Sequence, residues 1–245
     1  MGFDASFHPI SEDEIHEWYF DKLNDAEGAR SLAQRCNIDE FYINKYLNTL
    51  SAGANTAPQD PFERTHGLYL ATTQGFFRKY FYTRGATFTF LIEADPTFRR
   101  YTKPWADILR VDIPNPAKSM IVENYNSGVF IPPEHVKNLL ADYENISDVK
   151  ILMDEVFSHG RIDVFLKAAR FAAENGLGIL EATEVVEPNP MDLNKSRSYS
   201  NLFNCDKEGP LLFQQAAMEQ INQIKNQEAK PEAKKGLLSK LFGGK

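Results

Sequence analysis

The chain has 245 residues, 42% hydrophobic and 25% charged, an ordinary globular composition that suits one large domain or two small ones. Its two cysteines, Cys36 and Cys205, lie far apart and outside any CxxC spacing, which argues against a disulfide framework or a zinc site and for a reducing cytoplasm. The formal net charge is -7, and six lysines against Glu228 and Glu232 from residue 225 onward leave an acidic body with a basic tail, a poor match for nucleic-acid phosphates.

No run of about 18 apolar residues is present, and MGFDASFHPI lacks a basic segment followed by an apolar one, so neither a membrane span nor a signal peptide is expected. Gly2 and Ser6 match the myristoylation pattern, but Phe3 and Asp4 are a poor context for it and a plain first strand is the expectation. That strand covers residues 2–8 and should end at Pro9. Ser11 to Glu14 reads as a capping box, in which a hydroxyl and a carboxylate each answer a free backbone N–H. The helix it opens carries Ile15, Trp18, Tyr19 and Leu23 at helical spacing; a second spans Ala26 to Cys36, and a third follows Asn37 with Phe41, Tyr42, Tyr46 and Leu47 as apolar positions.

Ser51 to Pro61 is a loop by composition. Phe62 to Tyr82 reads as a helix. Ala86 to Ala94 is open between strand and helix, with Thr87, Phe88, Thr89 and Phe90 favouring strand. Prolines 96, 104, 114 and 116 imply mostly loop around Asp107 to Val111, and Met120 to Ile131 resembles a hairpin about Asn126-Ser127-Gly128. Helices are expected from Pro132, over Ser147 to Phe157, and over Arg161 to Asn175 with Gly176 as a left-handed cap. Leu177 to Val186 is a strand, Met191 to Gly209 an irregular connection too long to be idle, and Pro210 to Gln227 a last helix. Helices outnumber strands without alternating with them. The class is α+β, a helix-rich single domain over residues 1–224 with a small, mostly antiparallel sheet and a basic tail over residues 225–245.

DEVFSHGRID places Asp154, Glu155, His159 and Arg161 at a helix junction, the best candidates for acid/base chemistry, which needs a carboxylate within hydrogen-bond reach of a histidine. The bland alternative is an exposed helix end with His159 where positive charge is favoured. Glu181, Glu184 and Glu187 alternate faces if their segment is a strand, which spoils a three-carboxylate metal cage. His8, His16, His66 and His135 form no zinc spacing, and GxGxxG, GxxxxGK[ST] and GxSxG are absent, so neither metal nor cofactor is expected. FFRKYFYTRG interleaves aromatics with Arg78, Lys79 and Arg84 as a single-strand binder would, but Phe76, Phe77, Tyr80 and Phe81 would share one helix face, which reads as core.

MGFDASFHPISEDEI, TKPWADIL, GVFIPPEHVKNLLADYE and IDVFLKAARFAAENGLGILEA together resemble the bacterial YfbM-like family of uncharacterised proteins. The resemblance touches about a third of the chain and departs from it from Met191 onward. It implies an α+β fold and no catalytic residue.

An acidic, motif-poor body points first to a bacterial cytoplasmic protein-binding module, of the immunity type that covers a toxin; an acidic surface steers a basic partner. The alternatives are a hydrolase-like enzyme with an acidic and histidine-containing cleft, and a peripheral membrane protein. The tail KKGLLSKLFGGK offers Leu237, Leu238, Lys240, Leu241 and Phe242 for docking to a partner or, weakly, to a membrane. Its apolar arc is about two turns, too short for a helix without a surface to fold on. Deleting residues 229–245 is therefore expected to leave folding and melting temperature nearly unchanged.

Overall fold

In the computed structural model the residues described are 3–110 and 129–228. Strand β1 (Asp4–Ile10) runs into the expected capping box, where Ser11 Oγ accepts from the Glu14 N–H at 3.2 Å and the Glu14 carboxylate accepts from the Ser11 N–H at 2.9 Å. That box opens α1 (Glu12–Trp18). Asp25 and Asp39 carboxylates cap α2 (Ala26–Arg35) and α3 (Glu40–Ala54) by accepting from the Gly28 and Phe41 N–H groups. There follow α4 (His66–Phe77), β2 (Phe81–Arg84), α5 (Phe88–Ala94), β3 (Phe130–Ile131), α6 (Pro133–Asn145), α7 (Ser147–Val156) and α8 (Arg161–Glu174). Then come β4 (Gly178–Thr183), the short pair β5 (Val186–Glu187) and β6 (Arg197–Ser198), and α9 (Glu208–Glu228).

The main sheet has the order β2-β1-β4-β3, every neighbouring pair antiparallel. Both central strands are buried along their whole length because helices cover both faces. On one face Phe7 and Ile179 pack with Phe88, Leu139, Met153 and Phe165 from α5 to α8. On the other, Ile10, Leu180 and Ala182 pack with Ile15, Tyr19, Tyr46 and Leu70 from α1 to α4. The fold is thus helix-rich α+β with a small antiparallel sheet.

Pro9 does not end β1 but sits inside it. Its carbonyl accepts from Gln74 Nε2 at 3.1 Å and from Arg78 at 3.2 Å, on the side where β2 has already stopped, so the hydrogen it lacks leaves no gap in a ladder. The Phe62–Tyr82 segment is not one helix: α4 ends at Phe77, Arg78 turns extended, and Phe81 begins β2. Phe76, Tyr80 and Phe81 are core as their spacing implied, yet Tyr80 and Phe81 reach it from extended chain. α3 runs to Ala54, four residues into the expected loop.

The open choice at residues 86–94 falls to helix, against strand propensity. Thr87 Oγ1 accepts from the Phe90 N–H at 3.3 Å, and the buried Glu181 carboxylate on β4 accepts from the Phe88 N–H, the Thr89 N–H at 3.2 Å and Thr89 Oγ1 at 3.0 Å. A carboxylate delivered from 92 residues away answers the free donors of the first turn. The hairpin expected over Met120–Ile131 falls mostly outside the described residues; Phe130 and Ile131 pair with β4. The tail from residue 229, with Leu237, Leu238, Lys240, Leu241 and Phe242, also lies outside them.

The long connection after β5 has a structural task. Strand β2 is an edge, and immediately before it Tyr80 N–H donates to Asn204 O at 3.0 Å and Tyr80 O accepts from Asp206 N–H at 2.8 Å. Arg161 donates to Arg84 O at 2.8 Å. Gly209 then lies so close that a Cβ there would stand 1.8 Å from Tyr82 O. An edge covered in this way cannot template pairing with another chain.

Candidate functional site

Asp154, half-buried on α7, accepts from Tyr143 Oη at 2.8 Å and Lys150 Nζ at 2.6 Å. Burial would raise its proton affinity, but these hydrogen bonds, Lys150 first, hold the carboxyl below its ordinary range. Glu155 is exposed beside it. His159 is exposed in the left-handed region at φ 58°, and Gly160 follows at 78°. That reversal swings Arg161 away from α7, and its guanidinium donates to Ser158 O, Ser158 Oγ and Arg84 O. No hydrogen bond or ion pair among the described residues joins His159 to Asp154 or Glu155. The structure brings His159 and Arg161 together beside α9, while Asp154 turns to α6.

The three glutamates separate as well. Glu181 lies under α5, and Glu184 takes φ 64°, which ends the alternation of β4. The expected sharing of one face by Glu181 and Glu187 fails for that reason: it is Glu184 and Glu187 that line a common cleft, about 420 Å³ in volume, with Arg64, Arg197, Ser198 and Tyr199. The β5–β6 ladder, with Glu187 opposite Arg197, forms one wall. Tyr199 is tied to it through its N–H to Val185 O at 3.0 Å. Burial, reinforced by the nearby Asp4 carboxylate, raises the proton affinity of Glu184. A non-glycine residue in the left-handed region is uncommon and costs on the order of 1–3 kcal/mol.

Tyr199, which lines this cleft, is one of several exposed aromatics. Phe41, Tyr199 and Phe203 are 61%, 64% and 89% exposed. Lys45 Nζ stands 5.4 Å from the Phe41 ring centre and donates to Ser198 O at 3.3 Å, linking Phe41 to the residue before Tyr199. Asn204 Nδ2 donates to Gly75 O at 3.0 Å and Phe76 O at 3.3 Å, the Phe76 ring lies 6.1 Å from Tyr42, and Tyr42 lies 5.1 Å from Phe41. Phe203 precedes Asn204 on the connection that these bonds hold against the end of α4. Phe41 corrects an expectation, since it points outward while Tyr46 is buried. The signal was present: Ile43, Tyr46 and Leu50 make the inward stripe of α3, and at 3.6 residues per turn Phe41 falls on the opposite side.

Among the described residues no helix is long and apolar enough to cross a membrane. Compared with family models, with curated proteins and with solved structures, the chain matches none.

Proposed function

We propose that the chain is a bacterial cytoplasmic protein-binding module of the immunity type, which covers a toxin, and that the face of Phe41, Tyr42, Tyr199 and Phe203 is where the partner docks. One observation carries the reading: three large aromatic side chains stand 61–89% exposed, and one of them, Tyr199, lines a charged cleft. Leaving such a side chain in water forgoes roughly 1.5–3 kcal/mol, and aromatic anchors around a pocket are what interface centres are made of. The net charge of -7 supports a basic partner, drawn by long-range attraction.

The test is capture of a stoichiometric protein from the native cell by the tagged chain, repeated with the triple variant Phe41→Ser, Tyr199→Ser, Phe203→Ser. The expected result is a basic partner retained by the wild type and lost by the variant. Recovery of none, or equal recovery by both, would remove the proposal.

The enzyme reading has one supporting observation, the left-handed Glu184 with its raised proton affinity inside the cleft. It moves the acid/base candidate from His159 to Glu184. Assay of the wild type and Glu184→Gln on ester, phosphoester and glycoside substrates decides it: equal rates in both proteins would end that reading.

A further inference from the structure

A groove of about 550 Å³ lies between the edge strand β2 and α9 and shares no lining residue with Phe41, Tyr42, Tyr199 or Phe203. In a chain of net charge -7 it is anomalous: Arg84, His159 and Arg161 line it and, among the described residues, no Asp or Glu does. Arg84 is neutralised by Asp4 at 2.6 Å, but Arg161 has no carboxylate partner among the described residues. Its hydrogen bonds go to neutral acceptors, Ser158 O at 2.6 Å, Arg84 O at 2.8 Å and Ser158 Oγ at 3.0 Å. A guanidinium has five N–H donors, so two remain for an incoming acceptor. A half-buried cation without a counter-ion is costly, and an anion settling there would relieve that cost.

The other wall is apolar: Leu212, Phe213, Ala216 and Ala217 face the cavity from α9. Gly160 abuts Leu212, so the cations stand at that end, while Gln220 and Gln223 close the far end with amides. At about 1.5 Å per residue the apolar floor from Leu212 to Ala217 is roughly 8 Å long, which suits a short body and not an extended chain. Volumes of roughly 300–1,000 Å³ are those of small-ligand sites.

We infer that this groove binds a short apolar carboxylate, its acid group held by Arg161 and its body laid along Leu212, Phe213 and Ala216. The aromatic face takes no part in it, and either assignment stands if the other fails.

Isothermal titration of the full chain with 4-phenylbutyrate and with its uncharged analogue 4-phenylbutan-1-ol tests the site. The acid is expected to bind at least about tenfold tighter than the alcohol, the worth of one charge-assisted contact. Arg161→Gln should erase that preference. Because Arg161 also ties Ser158 to Arg84, a second variant, Ala216→Trp at an exposed helical position, should block binding of both compounds at an unchanged melting temperature. Equal affinity for acid and alcohol, no binding of the acid at millimolar concentration, or binding untouched by both variants would each overturn the assignment.

Discussion

The layer between β1 and α4 and the cleft at Glu184 both take titratable groups out of water, and they do opposite things with them. In the layer, His8 Nδ1 bonds Gln74 Oε1 at 2.7 Å, Nε2 bonds Ser6 Oγ at 2.8 Å, and the ring stacks on Tyr80 at 5.0 Å. Gln74 spends its remaining amide hydrogens on Pro9 O and Lys79 O, each at 3.1 Å. Ser6 and His8 on one strand look like parts of a nucleophilic site, but nothing can reach them: both are 0–1% exposed. In the cleft, Glu184 and Glu187 open to solvent beside an exposed Tyr199. A perturbed proton affinity marks both places, so it does not by itself mark function; access separates them.

The sharpest way to break that contrast is to cut the buried layer. Gln74→Ala removes three side-chain hydrogen bonds from a fully buried position and strands their partners, so a loss of roughly 3–5 kcal/mol is expected in denaturant unfolding. A loss below about 1 kcal/mol would mean the layer is not the closed network described.

Next in size is the pH response. Burial pushes His8 down from 6.5 to about 4, against the Gln74 hydrogen bond that works to raise it. The unfolded chain then takes up a proton that the folded chain refuses until near pH 4. Stability from His8 is whole above 6.5 and falls as the pH drops through that window, by roughly 3 kcal/mol at about 1.4 kcal/mol per unit. His8→Gln should flatten the unfolding free energy across that window; an unchanged slope would show that His8 is reached by solvent.

Gly209→Ala should cost about 1–3 kcal/mol, because a Cβ cannot fit 1.8 Å from Tyr82 O and α9 must lift off β2. A neutral result in thermal unfolding would show that α9 is not seated there. The smallest effect belongs to the aromatic face, where the triple serine variant should move stability by no more than about 0.5 kcal/mol per site while abolishing capture of the partner. A large loss of stability would make those rings structural.

What could be read from the sequence was whatever is decided locally. The capping box at Ser11, the helices after Pro132 and Gly160 and the left-handed Gly176 depend on neighbours within a turn, and all are found. Residues 86–94 were undecidable because the deciding group, Glu181, arrives from β4. Pro9 misled because it is tolerated only where β2 has stopped short. At the candidate site, Asp154 and His159 are close in sequence, but two consecutive left-handed residues turn the chain between α7 and α8. Strand alternation assigns Glu184 a definite face, and its φ of 64° cancels that face. The length of the connection after β5 signals a task, and the structure shows it covering the β2 edge, with Tyr199 and Phe203 exposed along it.

Hydrogen–deuterium exchange on the chain alone and saturated with its captured partner tests the docking face most directly. Slowed exchange is expected over residues 40–46 and 197–204, with the amides of β1 and β4 already slow in both states. Protection confined to α6, α7 or the groove beside α9, with residues 197–204 unchanged, would contradict it.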